Sequence, residues 1–169
     1  PLSEEAQREA REIMASGLNL LKPATGLSIA SPRQDMVLGC DWLTKIVPGS
    51  KGEGKVFTDS SEAKLALNYH FVDIRAKIKI LKDNELFETS VGRIIFNEVL
   101  PKDFPYQNEL MNSKRIKELF NVIIHKYDNQ VTCDALDGVK TLGFEYATLS
   151  GLSWGMDDLS VPEKKKKLL

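Results

Sequence analysis

Cysteine, histidine and aromatic side chains are scarce in this sequence, and net charge is almost absent. It has two cysteines, two histidines and 8% aromatic residues, and its 23 Lys+Arg against 24 Asp+Glu leave a formal charge of −1. Cys40 and Cys133 lie far apart, with no CxxC pair and no closely spaced histidine, which excludes a zinc knuckle and a disulfide framework and fits a reducing, cytoplasmic setting. The balanced charge argues against a free-standing nucleic-acid binder, which carries a marked basic excess, so any partner is expected to be mostly protein. No apolar run approaches the roughly 20 residues that span a bilayer, and Pro1-Leu2-Ser3-Glu4 has no basic-then-apolar start, so neither a membrane segment nor a signal peptide is expected.

What is present is the material of one globular domain: 169 residues, 42% hydrophobic and 28% charged. Ser3, Glu4 and Glu5 open a helix over 3–16, with Ala6, Ala10, Ile13 and Met14 as an apolar stripe that packs on something. An aperiodic stretch over 19–33, with Pro23, Gly26 and Pro32, presents Gln34 at the start of a short helix marked by Met36, Cys40 and Leu43. Residues 48–55 read as a flexible glycine-rich link, and Asp59-x-x-Glu62 as a capping box for a helix reaching about Tyr69. Alternation from Val72 to Ile80 predicts a half-buried strand that turns at Asp83-Asn84 into a second strand over 86–91. A helix over 113–127 puts Ile116, Leu119, Phe120, Ile123, Ile124 and Tyr127 on one face, and a shorter one capped by Thr132 runs to Gly143. Ser160-Val161-Pro162-Glu163 reads as a further capping box with little chain behind it. The fold class is α+β, mostly helical with a small antiparallel sheet.

Few motifs carry chemistry. Gly49-x-x-x-x-Gly54-Lys55 imitates a phosphate-binding loop, but Val56 stands where a magnesium-ligating Ser or Thr is required and Pro48 where a strand should end. Asp157-Asp158 is an adjacent acidic pair whose side chains point apart in extended chain, so a turn explains it better than a metal does. His70 and His125 are lone histidines at helix ends, and Lys164 to Lys167 has no interleaved aromatics and reads as a solvated face. No active site is legible from the chemistry alone.

Blocks along the whole chain nevertheless resemble the bacterial RNA polymerase β′ family, the largest catalytic subunit: Pro1-Leu2-Ser3-x-Glu5-Ala6-Gln7, Pro23-Ala24-x-Gly26, Gln34-Asp35-x-Val37-Leu38-Gly39 and Lys51-Gly52-Glu53-Gly54. They continue through Arg75-Ala76-Lys77-Ile78-Lys79, Glu88-Thr89-x-Val91-Gly92-Arg93, Ile95-Phe96-Asn97-Glu98, Gly143-Phe144-x-Tyr146-Ala147-Thr148, Ser150-Gly151-x-Ser153-x-Gly155-x-Asp157-Asp158 and Val161-Pro162-Glu163-Lys164-Lys165.

The resemblance implies an internal piece of that subunit. Residues 1–14 would be the tail of the catalytic-loop region, 15–158 the pore domain lining the secondary channel, and 159–169 the start of a truncated rim helix where cleavage factors dock. The Asn-Ala-Asp-Phe-Asp-Gly-Asp loop that holds Mg²⁺ in the full enzyme would precede Pro1, so no catalytic or metal residue is expected here and the piece alone should be silent. Implied partners are the β, α, ω and sigma subunits, DNA, RNA and nucleoside triphosphates. Asn19, Gln34 and Asp35 match positions near the RNA 3′ end and incoming nucleotide, although Gln34 reads equally well as a helix cap after Pro32. Asp137 matches one residue of an alarmone site near ω, but Gln130 and Thr141 replace its Lys and Tyr, so it is expected to be a remnant. Leu149 replaces a usual Arg, and Leu18 an Asn. The rival reading is a stand-alone, non-catalytic interaction module derived from the same fold.

Overall fold

A computed structural model describes residues 2–82, 85–160, 162, 164 and 165. In chain order it contains α1 (Glu4–Glu12), α2 (Asp35–Thr44), β1 (Val56–Phe57), α3 (Ser60–Asn68), β2 (Ile78–Lys82), β3 (Glu85–Thr89), α4 (Val91–Glu98), α5 (Ser113–Lys126) and α6 (Asn129–Ser150), with 3₁₀ turns at Ser16–Leu18 and Met156–Asp158. The α+β expectation holds. The sheet, however, is mixed: β1 pairs parallel with β2 (Phe57 beside Ile80), and β2 antiparallel with β3 (Ile80 beside Phe87).

Local capping fixes most helix starts. The Ser3, Asp59, Ser90 and Asp128 side chains each accept a hydrogen bond from the backbone N–H three residues on, and the Asn112 amide oxygen caps α5 at Lys114 and Arg115. The Asp59 box is completed one residue early, with Glu62 accepting from Thr58 rather than from Asp59.

The core is built around α2. Leu43, Phe96, Met111, Ile116, Phe120, Ile123 and Val139 are fully buried in one cluster; a second, Phe57, Ala63, Val72, Ala76, Ile78 and Val91, lies under the sheet, and Ile95 packs on both. Cα–H stands against main chain where α2 meets its neighbours. A Cβ on Gly39 would fall inside the Gly143 carbonyl of α6, one on Gly143 would run into the Met36 backbone, and one on Gly92 of α4 would strike the Leu43 carbonyl. Around this crossing, Trp42 stacks on Tyr146 with ring centroids 6.2 Å apart, and the Arg75 guanidinium lies 4.4 Å from the Trp42 centroid on a cation–π contact. Cys40 is sealed in the crossing, and burial, helped by Asp41, pushes its thiol up to about 12, leaving an inert apolar filler.

Several expectations are corrected. The strand expected from Val72 begins only at Ile78, because the backbone of 73–77 is already bonded elsewhere: Asp73 N–H to Lys51, Gly92 N–H to Ile74, and Val47 N–H to Arg75. The same bonds make 48–55 an ordered series of turns rather than a flexible link. Instead of a shorter helix ending at Gly143, α6, the longest helix among the described residues, is capped by Asp128 and runs from Asn129 through Gly143 to Ser150; Thr132 is buried within it and caps nothing. α1 ends at Glu12, buries none of its residues, and leaves Ile13 64% and Met14 75% exposed, so its apolar stripe has no partner among the described residues. The Asp83-Asn84 turn, and Val161 and Glu163 of the Ser160-to-Glu163 capping box, lie outside the described residues. Residues 91–98, not read as an element, form α4.

The crossing gives a test of sign. Helix propensity alone makes Gly143→Ala stabilising by about 1 kcal/mol, whereas the backbone contact makes it destabilising by about 3 kcal/mol through overpacking. Urea unfolding should give the second result, with Gly155→Ala, which meets open space, within about 0.5 kcal/mol of the parent.

Candidate functional site

Gln34 sits directly before α2 with φ 50° and ψ −122°, a conformation that non-glycine residues rarely adopt and that costs about 1–3 kcal/mol. Its side chain makes no capping hydrogen bond and is exposed, so the helix-cap reading fails. The backbone around it is over-determined. Pro32 is buried behind it, Met36 N–H bonds to the Arg33 carbonyl at 3.1 Å, Leu38 N–H bonds to the Gln34 carbonyl at 3.0 Å, and the following turns are pinned at the glycine crossing. Asp35 follows in the exposed first turn of α2, where a carboxylate suits the helix dipole.

The stretch before Gln34 is a small hairpin, not a featureless loop. Leu21 bridges Ser28, Lys22 N–H bonds to Leu27, Ile29 N–H bonds to Leu20, and Ser28 N–H reaches Asn121 of α5 at 3.3 Å. Asn19 stands at its base. Both amide hydrogens of Asn19 are spent on backbone carbonyls, of Ile13 at 2.6 Å and Ala15 at 3.0 Å.

A groove of about 290 Å³ separates these segments from α6, lined by Gly17 and Leu20 on one side, Pro32 and Met36 on another, and Cys133 and Asp137 on α6. Thus the chain on either side of Asn19 and Gln34 converges with Asp137 at one place, although Asn19, Gln34 and Asp35 do not themselves line the groove. Asp137 is ion-paired with Lys140 at 2.6 Å. Gln130 donates to Asp134 at 2.9 Å on the same helix, and Thr141 shares a separate shallow depression with Asp137, Gly138 and Glu145.

Behind α2 a polar hub ties the site to the rest of the fold. Thr44 donates to the Cys40 carbonyl at 2.7 Å and accepts from Met111 N–H at 2.9 Å. Arg93 donates to the Thr44 carbonyl at 3.0 Å and to the Asn108 carbonyl at 2.7 Å, and Asn97 clasps Gln107 in both directions. Burial draws the Arg93 guanidinium below its ordinary pKa, with Tyr106 and Glu109 opposing. The sequence reading missed this hub; its signal was Ser90 three residues before Arg93, a helix start inside a quoted block.

Among the described residues no group of three His, Cys, Asp or Glu could hold a metal ion. No helix among the described residues is long and apolar enough to cross a membrane.

The chain belongs to the family described as RNA polymerase Rpb1, domain 3, which matches residues 19–159. Over its whole length it is 44% identical to the DNA-directed RNA polymerase subunit beta′ of Desulforudis audaxviator, 41% to that of Sulfurihydrogenibium sp. and 45% to that of Dehalococcoides mccartyi. It covers 15%, 11% and 13% of those proteins respectively, so it corresponds to a segment of a much longer subunit.

The strain at Gln34 is measurable. Gln34→Gly removes a cost of about 1–3 kcal/mol and adds a backbone-entropy cost of about 0.5–1 kcal/mol, so the chain should become more stable by about 1 kcal/mol in a denaturant titration.

Proposed function

We propose that this chain is the part of a DNA-directed RNA polymerase β′ subunit that lines the route by which nucleoside triphosphates reach the active centre, and that Gln34 is the side chain it presents there. The observation that carries the reading is the conformation of Gln34: an exposed amide that makes no capping hydrogen bond, kept in a costly backbone geometry by a rigid support. Strain of this kind persists where surrounding structure holds a group in place for use. An amide can both donate to and accept from a ribose or an RNA end, and being uncharged it does not compete for cations. Large apolar side chains left uncovered, among them Ile13, Met14, Trp154 and Met156, support a segment embedded in a larger protein rather than a stand-alone module. On this reading β, α, ω and sigma subunits, DNA and RNA are partners of the assembled enzyme, Mg²⁺ is held by residues outside 1–169, Gln34 and Asp35 face the nucleotide, and Asp137 is the remnant of an alarmone site.

The test is a hybrid polymerase in which this chain replaces the matching segment of the Desulforudis audaxviator subunit. It should assemble and extend RNA. Gln34→Ala in that hybrid should slow single-nucleotide addition by about 5- to 30-fold, equivalent to about 1–2 kcal/mol for one lost hydrogen bond, with the melting temperature of the chain nearly unchanged. Normal addition by the variant, or a hybrid that assembles but does not extend RNA, would contradict the proposal.

A further inference from the structure

The amide of Asn19 was expected near the nucleotide, yet its two donors are turned inward on the chain's own backbone. Its Nδ2 bonds to the Ile13 carbonyl at 2.6 Å and the Ala15 carbonyl at 3.0 Å, and its backbone N–H bonds to the Ser16 carbonyl at 3.1 Å. The Ala15 carbonyl also accepts Leu18 N–H at 3.0 Å within the 3₁₀ turn, so the Asn19 amide joins the Ile13 carbonyl at the exit of α1 to the start of that turn. What remains free on the amide is one acceptor oxygen, which offers nothing to a phosphate.

The joint it forms lies between a helix with no fully buried residue and a hairpin held to the core. α1 buries no residue. Beyond Asn19, Leu20 is buried, the hairpin is closed by the Leu20–Ile29 and Lys22–Leu27 bonds, and Ser28 ties it to Asn121. The intervening 3₁₀ turn rests on α6, with Cys133 Sγ 3.9 Å from the Gly17 carbonyl. The direction in which α1 leaves the domain is therefore set at this turn, and the Asn19 amide is the side chain that closes it.

We infer that Asn19 is a positioning residue for nucleotide addition: it locks the angle between α1 and the hairpin leading to Gln34, and it does not touch nucleotide or RNA. This rests on the polymerase reading, in which the metal-binding loop precedes α1. Nine residues of helix span about 13 Å, so a hinge error of about 10° moves the far end by about 2 Å, and misplacements of about 1 Å can cost about 100-fold in rate. Of the near-isosteric side chains, Asp keeps the shape and has neither donor.

Two measurements on the hybrid polymerase decide it. Asn19→Asp should lower kcat for single-nucleotide addition about tenfold while the KM for the nucleoside triphosphate stays within about twofold. Nitroxide labels at Arg8 and Glu145, both exposed, should give one narrow distance in the parent and a broadened distribution in Asn19→Asp. A raised KM with unchanged kcat would identify Asn19 as a substrate contact and overturn the inference; so would a distance distribution as narrow as the parent's, or unchanged kcat. If the unsubstituted hybrid fails to extend RNA, the polymerase reading fails, and the label distances measured on the 169-residue chain still decide whether the clasp exists.

Discussion

Where α2 crosses α6, main chain meets main chain. Gly39 and Gly143 leave no side chain between the two helices, and Gly92 does the same where the end of α2 meets α4. Contact this close gives dispersion and burial without rotamer freedom to lose, and it admits no intermediate spacing: a single methyl group on any of the three would force the backbones apart. Everything near α2 takes its place from that spacing. Trp42 is held between Tyr146 and Arg75, Cys40 is sealed as a thiol, and Thr44 is brought to Met111 and Arg93 at the far end of the helix.

A helix fixed in this way can carry strain at its first residue. Gln34 would relax if the α2 backbone could rotate, but the turn after it is locked against α6 and Pro32 is buried before it. The hairpin over 20–29 and the clasp at Asn19 extend the rigid frame outward to α1, which fully buries none of its residues. The order of dependence is thus from glycine spacing, to α2, to Gln34 and the hairpin, to the direction of α1. Such a frame supplies geometry to a neighbouring site, in keeping with a domain that belongs to a polymerase family and has no metal-binding cluster among its described residues.

Much of this was legible where the signal is local. Ser3, Asp59 and the Ile116-to-Ile123 stripe announced their helices, and the α+β class followed from them. The family was legible because its blocks run in order along the chain. What failed was whatever depends on a distant partner. The alternation from Val72 to Ala76 has the period of a strand, but its backbone groups are taken by residues 47–51 and Gly92, so no ladder forms there. Thr132 and Gly143 looked like the start and stop of a short helix; both are internal, because α2 needs a small residue at Gly143 and the core takes Thr132. At the candidate site, the position of Gln34 was legible and its strain was not, since a positive φ at a glutamine leaves no mark in composition. Asn19 was selected for a role outward, toward substrate, and its amide turns inward to the Ile13 and Ala15 carbonyls just past the end of α1 at Glu12, a placement that shows only once the helix end is known.

The most direct test of this order of dependence is residue-resolved amide hydrogen exchange on the chain. If the α2–α6 crossing is the frame, amides at 38–44 and 139–147 should exchange only through global unfolding, with one shared free energy of opening, while those of α1 exchange orders of magnitude faster. An α2 that opens at clearly lower free energy than α6 would show that it detaches on its own, and that the glycine crossing does not hold Gln34 in place.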